Sequence, residues 1–273
     1  PPPPTHTTTS RCSSAASDVY KRQYVLISLL YVQSMHTLNH LTGNKSDQYN
    51  DPDRAKFYQK YKLLLNILAL AAGGTGLVIA HTLGLFPLLL LLIMSLLGLS
   101  YNLRIVPQMF VGLRYRRIRD IPGSKTLLIA MAWGIVTAVL PPLSLTGKAS
   151  WVTGLIFLWT VAIVFVRTAF FDILDMQGDR IVGKDTFAIM LGEKRTMRIL
   201  KNMLIVLVAA LMLLSSFHII SYLGLVLIGC PIFFLLLLSA YERGVLLPSI
   251  KLEFLVETNF ILAGAMAFLW SLI

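Results

Sequence analysis

The sequence is short of charge and of cysteine. Only 14% of its 273 residues are charged and 56% are hydrophobic, whereas a soluble domain carries about 25% charged residues. That deficit excludes an ordinary soluble globule. The two cysteines, Cys12 and Cys230, offer neither a disulfide framework nor a spacing that ligates metal. Residues 1–23, PPPPTHTTTSRCSSAASDVYKRQ, lack the apolar core of a secretory signal. The period-two alternation of a membrane β-barrel is absent. Acidic residues are scarce as well, 13 in the whole chain, so any place where they gather carries information.

What fills the sequence is apolar runs near the ~20 residues that cross a bilayer. Eight follow the leader: Tyr24–Leu41, Leu63–Leu83, Leu85–Ser100, Leu127–Leu145, Trp151–Phe171, Ile199–Ser216, Ile219–Leu238 and Val256–Ile273. An unsatisfied backbone group costs several kcal/mol in lipid, so spans of this kind must be helical. The predicted fold class is therefore all-α, a polytopic transmembrane helical bundle. Residues 1–23 read as a disordered, non-native leader of adaptor type, and 24–273 as the membrane domain.

Lysine and arginine alternate strictly between loops. Lys45, Arg54, Lys56, Lys60 and Lys62 follow the first run. Arg104, Arg114, Arg116, Arg117, Arg119 and Lys125 follow the third, and Arg180, Lys184, Lys194, Arg195 and Arg198 the fifth. Arg243 and Lys251 follow the seventh, while the intervening loops offer only Lys148. This bias puts the basic loops on the cytoplasmic side. It also accounts for the formal charge of +11 through topology and anionic lipid, which removes nucleic acid as a partner. Within the third loop, Met109–Arg119 mixes apolar and basic residues in the manner of an interfacial helix.

Two of the basic loops also hold carboxylates. Asp172, Asp175 and Asp179 follow the fifth run at spacings of three and four, which on a helix is one face. Asn44, Asp47 and Asp51 repeat that spacing after the first run. Neighbouring carboxylates one turn apart repel by roughly 2–3 kcal/mol at an effective dielectric near 20, which favours a cation between them. The donors are all oxygen, the chemistry of Mg²⁺, which commonly bridges carboxylates to substrate phosphates. Arg180 and Lys184 stand beside the second cluster, Lys45 and Arg54 beside the first, and Lys125 is a further cation. Carboxylates, Mg²⁺ and cations together describe a diphosphate site, and a membrane protein would take a lipid diphosphate there.

These residues are similar to those of the UbiA-type intramembrane prenyltransferases. The second cluster, FDILDMQGD at Phe171–Asp179, with the following IVGKDT and LGEKRT, resembles that family's second aspartate-rich motif. GNKSDQYND at Gly43–Asp51 resembles its first, with Gly43 and Asn44 where the family has Asn and often Asp. The resemblance implies a nine-helix fold of which eight helices are visible, the first being absent. It implies Asp47, Asp51, Asp172, Asp175 and Asp179 as catalytic residues that hold Mg²⁺ and diphosphate. Asn44, Arg54, Tyr101, Lys125, Arg180 and Lys184 would bind substrate. The implied reaction transfers a polyprenyl group from polyprenyl diphosphate to an aromatic acceptor of the quinone type, in a bacterial or archaeal cytoplasmic membrane.

Three other readings compete. A phosphatidyltransferase of the CDP-alcohol type needs an Asp-Gly and Ala-Arg pattern that is not found. A cation transporter would place its acids mid-membrane rather than at helix ends. An inactive or truncated lipid-diphosphate-binding protein would keep the clusters without turnover. His36, Asn39, His40 and Glu257 are further polar groups in or beside apolar runs, each explicable by helix–helix hydrogen bonding.

Overall fold

A computed structural model of the chain describes residues 6–43, 47–100, 123–270 and 272, with side chains from residue 22 onward except at 42, 43, 47 and 100. Asn44, Lys45, Tyr101 and the Met109–Arg119 segment lie outside the described residues. Among the described residues every regular element is helical. They are α1 (His6–Gly43), α2 (Asp47–Asn50), α3 (Pro52–Lys60), α4 (Lys62–Leu83), α5 (Leu85–Ser100) and α6 (Ser124–Gly134). A π turn (Ile135–Val139) joins α6 to α7 (Leu140–Thr146). Then come α8 (Trp151–Leu174), α9 (Met176–Ile181), α10 (Phe187–Leu191), α11 (Glu193–Ser216), α12 (Leu223–Leu227), α13 (Gly229–Glu242) and α14 (Ile250–Trp270).

Among the described residues six stretches are long and apolar enough to cross a membrane: α4, Ser124–Thr146, α8, α11, Leu223–Glu242 and α14. The apolar part of α5 is shorter, Leu85–Leu99. The first apolar run belongs to the long α1, whose backbone is already helical at His6. Large side chains such as Leu63, Leu64, Ile67 and Leu70 of α4 are exposed, as suits a surface solvated by lipid tails. Helices in that solvent associate through close packing and hydrogen bonds rather than a hydrophobic driving force.

The chain divides into two compact units. The first comprises residues 1–121 and 131–157. Its core takes Tyr24, Ile27 and Tyr31 from α1, a stripe at spacings of three and four, against Ala80, Leu91, Met94, Val136 and Leu140. Gly73 lets α1 and α4 approach closely, since a Cβ there would meet Ser34 Oγ at 2.8 Å.

The π turn has a definite chemical origin. Leu140 gives its N–H to Ile135, a five-residue bond. The donor that should then serve Val136 is residue 141, a proline with no N–H. Ser28 Oγ of α1 lies 3.1 Å from the stranded Val136 carbonyl and 2.9 Å from Tyr24 O of its own helix, so its one proton is shared between the two. A hydroxyl from one helix thus partly serves a backbone oxygen of another, as apolar surroundings favour.

The second unit comprises residues 122–130 and 158–273. Ile163, Val166, Phe170 and Ile173 of α8 pack with Met197, Leu200 and Leu204 of α11, Phe234 and Leu238 of α13, and Leu252 and Val256 of α14. Phe170 is fully buried and meets the rings of Phe234 and Tyr241 edge to face, at centroid distances of 6.5 and 5.2 Å. This packing fixes α8, and α8 carries the second aspartate cluster out of the apolar layer.

Candidate active site

Helical hydrogen bonding runs through the second cluster. Asp175 N donates to Phe171 O at 2.9 Å and Asp179 N to Asp175 O at 3.0 Å, so α8 passes into α9 with only a slight break at Asp175 (φ −88°, ψ 0°). The three-then-four spacing therefore does place Asp172, Asp175 and Asp179 along one side. Their surroundings differ. Asp172 and Asp179 are 3% and 2% exposed, while Asp175 is half-buried.

A buried carboxylate needs partners, and each of these two has one. Thr126, in the first turn of α6, donates from Oγ1 to Asp172 Oδ2 at 2.6 Å. Lys125 and Lys184 are close enough to act on the Asp172 charge from the favourable side, and Asp179 from the unfavourable side. Lys184 Nζ lies 3.0 Å from Asp179 Oδ1.

Lys184 arrives there by backbone design. α9 ends in a Schellman turn with Gly183 in the left-handed region, φ +73°. Lys184 N donates to Asp179 O at 2.9 Å and Gly183 N to Arg180 O at 3.2 Å. The same two residues are thus linked once through the main chain and once through their side chains. Thr186 then caps α10, accepting from Ile189 N through Oγ1.

Five groups of the second unit therefore come together: Lys125, Thr126, Asp172, Asp179 and Lys184. Arg180 is exposed, without an ion pair among the described residues. One level deeper, five residues or about 7.5 Å back along α8, Arg167 pairs with Glu257 of α14. Its Nε donates to Glu257 Oε1 at 2.9 Å, and its guanidinium covers the Phe171 ring at 4.7 Å. Sequence reasoning passed over both Thr126 and Arg167. A solitary arginine inside an apolar run was the available signal for the second. Nothing local marks the first.

The first cluster, in the other unit, is built differently. Asp51 precedes Pro52, which disfavours helical backbone, and its φ is −145°. The break falls between Asp47 in α2 and Asp51, so the shared helical face expected there does not form. Asp51 instead caps α3: Oδ1 accepts from Arg54 N at 2.9 Å, and Oδ2 pairs with Arg54 Nε at 3.1 Å. Close by, His36 and His40 meet at 4.6 Å, and His40 stacks on Tyr58 at 5.2 Å.

Residues 23–249 match the UbiA prenyltransferase family. The chain belongs to this family. No curated protein matches the sequence. Among solved structures, one described as digeranylgeranylglyceryl phosphate synthase in membranes is similar at 17% identity and a TM-score of 0.54. The match covers 91% of this chain and 84% of that one. At that identity the likeness is one of fold, a polytopic helical UbiA bundle. Family membership makes the protein an integral membrane prenyltransferase.

Whether the donor set suits Mg²⁺ can be judged from the second cluster. Among the described residues no three His, Cys, Asp or Glu side chains converge into a cage. Mg²⁺ rarely uses one; it takes one or two carboxylates and completes its shell with water and substrate phosphate. The Asp172 and Asp179 bonds described above each engage one oxygen, leaving one of each carboxylate to a hard cation. The residues fit.

Proposed function

We propose that this UbiA-family enzyme moves a polyprenyl group from its diphosphate to an aromatic acceptor, with Mg²⁺ and diphosphate held by the aspartate clusters. The reading rests on one observation: Asp172 and Asp179 are both buried where a membrane-spanning helix ends, Asp179 paired with Lys184 and Asp172 within electrostatic reach of Lys125 and Lys184. Asp172, Asp175 and Asp179 are the residues that would hold the cation, with Asp47 and Asp51 as the second set. Bound Mg²⁺ would neutralise charge growing on the departing diphosphate. Lys125, Lys184, Arg54 and Arg180 would share that task as positioned cations, and Asn44 and Tyr101 would contact substrate. The prenyl C1–oxygen bond breaks and diphosphate leaves. An acceptor carbon bonds to C1, and a ring proton departs to solvent or diphosphate. An apolar chamber protects the allylic cation from water. The lysine and arginine bias of these loops supports the reading that the chemistry takes place on the cytoplasmic face.

The test uses membranes carrying the full-length protein, labelled prenyl diphosphates, and a panel of aromatic acceptors beside a glyceryl phosphate lipid. Label should enter an aromatic product only when Mg²⁺ is present. Asp175→Asn and Asp179→Asn should each abolish turnover while leaving a folded protein, Asp179→Asn melting a few degrees lower for the loss of its Lys184 pair. Wild-type turnover in both variants rejects the site, and label found only in the glyceryl phosphate arm rejects the acceptor class.

A further inference from the structure

The aspartates do not line the cavity of about 630 Å³ in the second unit, which opens between α11, α13 and the loop that leaves α13. Lys194, Arg198 and Lys201 enter it from α11 at offsets of four and three, hence from one helix face. Glu193 and Glu242 also line it, so three cations against two carboxylates leave one net positive charge. Lys201 is engaged by Glu242 in an ion pair. Lys194 and Arg198 are exposed and have no ion pair among the described residues. Asn202 and Tyr241 add two neutral polar side chains, and the rest of the wall is apolar, chiefly Met197, Ile205 and Leu247.

The depth of the cavity follows from helix length. α11 has 24 residues and rises about 36 Å, against about 30 Å of hydrocarbon. Its charged first six residues, Glu193–Arg198, rise about 7.5 Å and take up that excess, which puts Lys194 and Arg198 in the headgroup layer. Lys201, just under one turn beyond Arg198, lies near the hydrocarbon boundary, where a charge needs a partner, and Glu242 provides one. A concave space with a net charge of one at headgroup depth, above an apolar wall, complements a singly charged phosphodiester with its acyl chains. Basic pockets between helices take anionic lipid in this way. We infer that the cavity is a binding site for the headgroup of a monoanionic phospholipid, held by Lys194 and Arg198. The inference does not depend on the prenyl acceptor.

The test uses the full chain in detergent, titrated with phosphatidylglycerol, phosphatidylcholine or inorganic phosphate, and followed by native mass spectrometry and thermal melting. Phosphatidylglycerol should bind and raise the melting temperature; phosphatidylcholine should not. The double variant Lys194→Gln/Arg198→Gln should weaken phosphatidylglycerol roughly 30-fold, about fivefold per charge. Arg195→Gln, an exposed charge on the same helix that does not line the cavity, should leave it unchanged. Equal binding of both lipids overturns the inference. So does an equal loss from Arg195→Gln, or displacement of the lipid by millimolar inorganic phosphate, which would make this a free-phosphate site.

Discussion

Replacing Gly183 by alanine isolates the contribution of the turn that carries Lys184 to Asp179. At φ +73° the residue is left-handed, and an alanine there costs roughly 1–2 kcal/mol from its Cβ against its own carbonyl. No other steric cost enters, because a Cβ built at Gly183 meets nothing within 4 Å. If the chain relaxes out of the left-handed region, both Schellman bonds are lost, and with them the placement of Lys184. The 3.0 Å pair with Asp179 then opens beside a carboxylate only 2% exposed. Breaking a fully buried pair costs about 3–5 kcal/mol; Lys184 is 36% exposed, so solvent screening reduces this to about 1–2 kcal/mol. The Gly183→Ala loss should thus fall between about 1 and 3 kcal/mol, a fall in melting temperature of roughly 3–10 °C. Gly183→Asn, which tolerates the left-handed region, should recover most of it. Lys184→Met in the Gly183 background removes the side-chain pair alone. Melting of detergent-solubilised variants, together with prenyl transfer at saturating substrate, measures both parts. If alanine and asparagine are equally damaging, or alanine is neutral, the turn does not act as described.

Thr126→Val removes the hydroxyl from the Asp172 carboxylate at nearly constant shape. A hydrogen bond to a buried charge is worth about 1.5–3 kcal/mol, so melting should fall accordingly and Thr126→Ser should restore it. Ser28→Ala strands the Val136 carbonyl in an apolar setting and should cost about 1–3 kcal/mol, read by the same melting assay; Ser28→Thr should be much milder. His218 is a non-glycine residue at φ 55° in the turn after α11. Glycine there should stabilise by roughly 0.5–1 kcal/mol, less whatever the His218–Tyr222 ring contact at 5.3 Å contributes; a fall in melting temperature would contradict the strain assigned to His218.

The sequence located the membrane helices where lipid exposure and helix coincide. Leu127–Leu145 and Trp151–Phe171 sit within Ser124–Thr146 and α8 with only a few residues to spare. Ile199–Ser216 begins six residues after α11 does, because Glu193–Arg198 is charged yet continues the helix. Hydropathy reads the solvent around a helix, not its hydrogen bonds. Ile219–Leu238 starts too early for the opposite reason, since Ile219 and Ile220 are apolar yet belong to the turn before α12. At the site, i,i+3 and i,i+4 spacing located Asp172, Asp175 and Asp179 and failed at Asp51, where Pro52 interrupts the helix. Contacts between elements distant in sequence left no local trace. Thr126 reaches Asp172 across 46 residues, and Arg167 reaches Glu257 across 90.

The π turn ties the order of membrane insertion to its own completion. Pro141 and Pro142 leave the Ser124–Thr146 span unable to close its ladder by itself, and the missing donor resides on α1. That span carries an oxygen its own ladder cannot pair, and it is better settled in hydrocarbon once α1 lies beside it. Within this unit α1 therefore acts as an assembly aid for a span made after it, and loss of the Ser28 hydroxyl should be felt at the α6–α7 junction rather than in α1 itself.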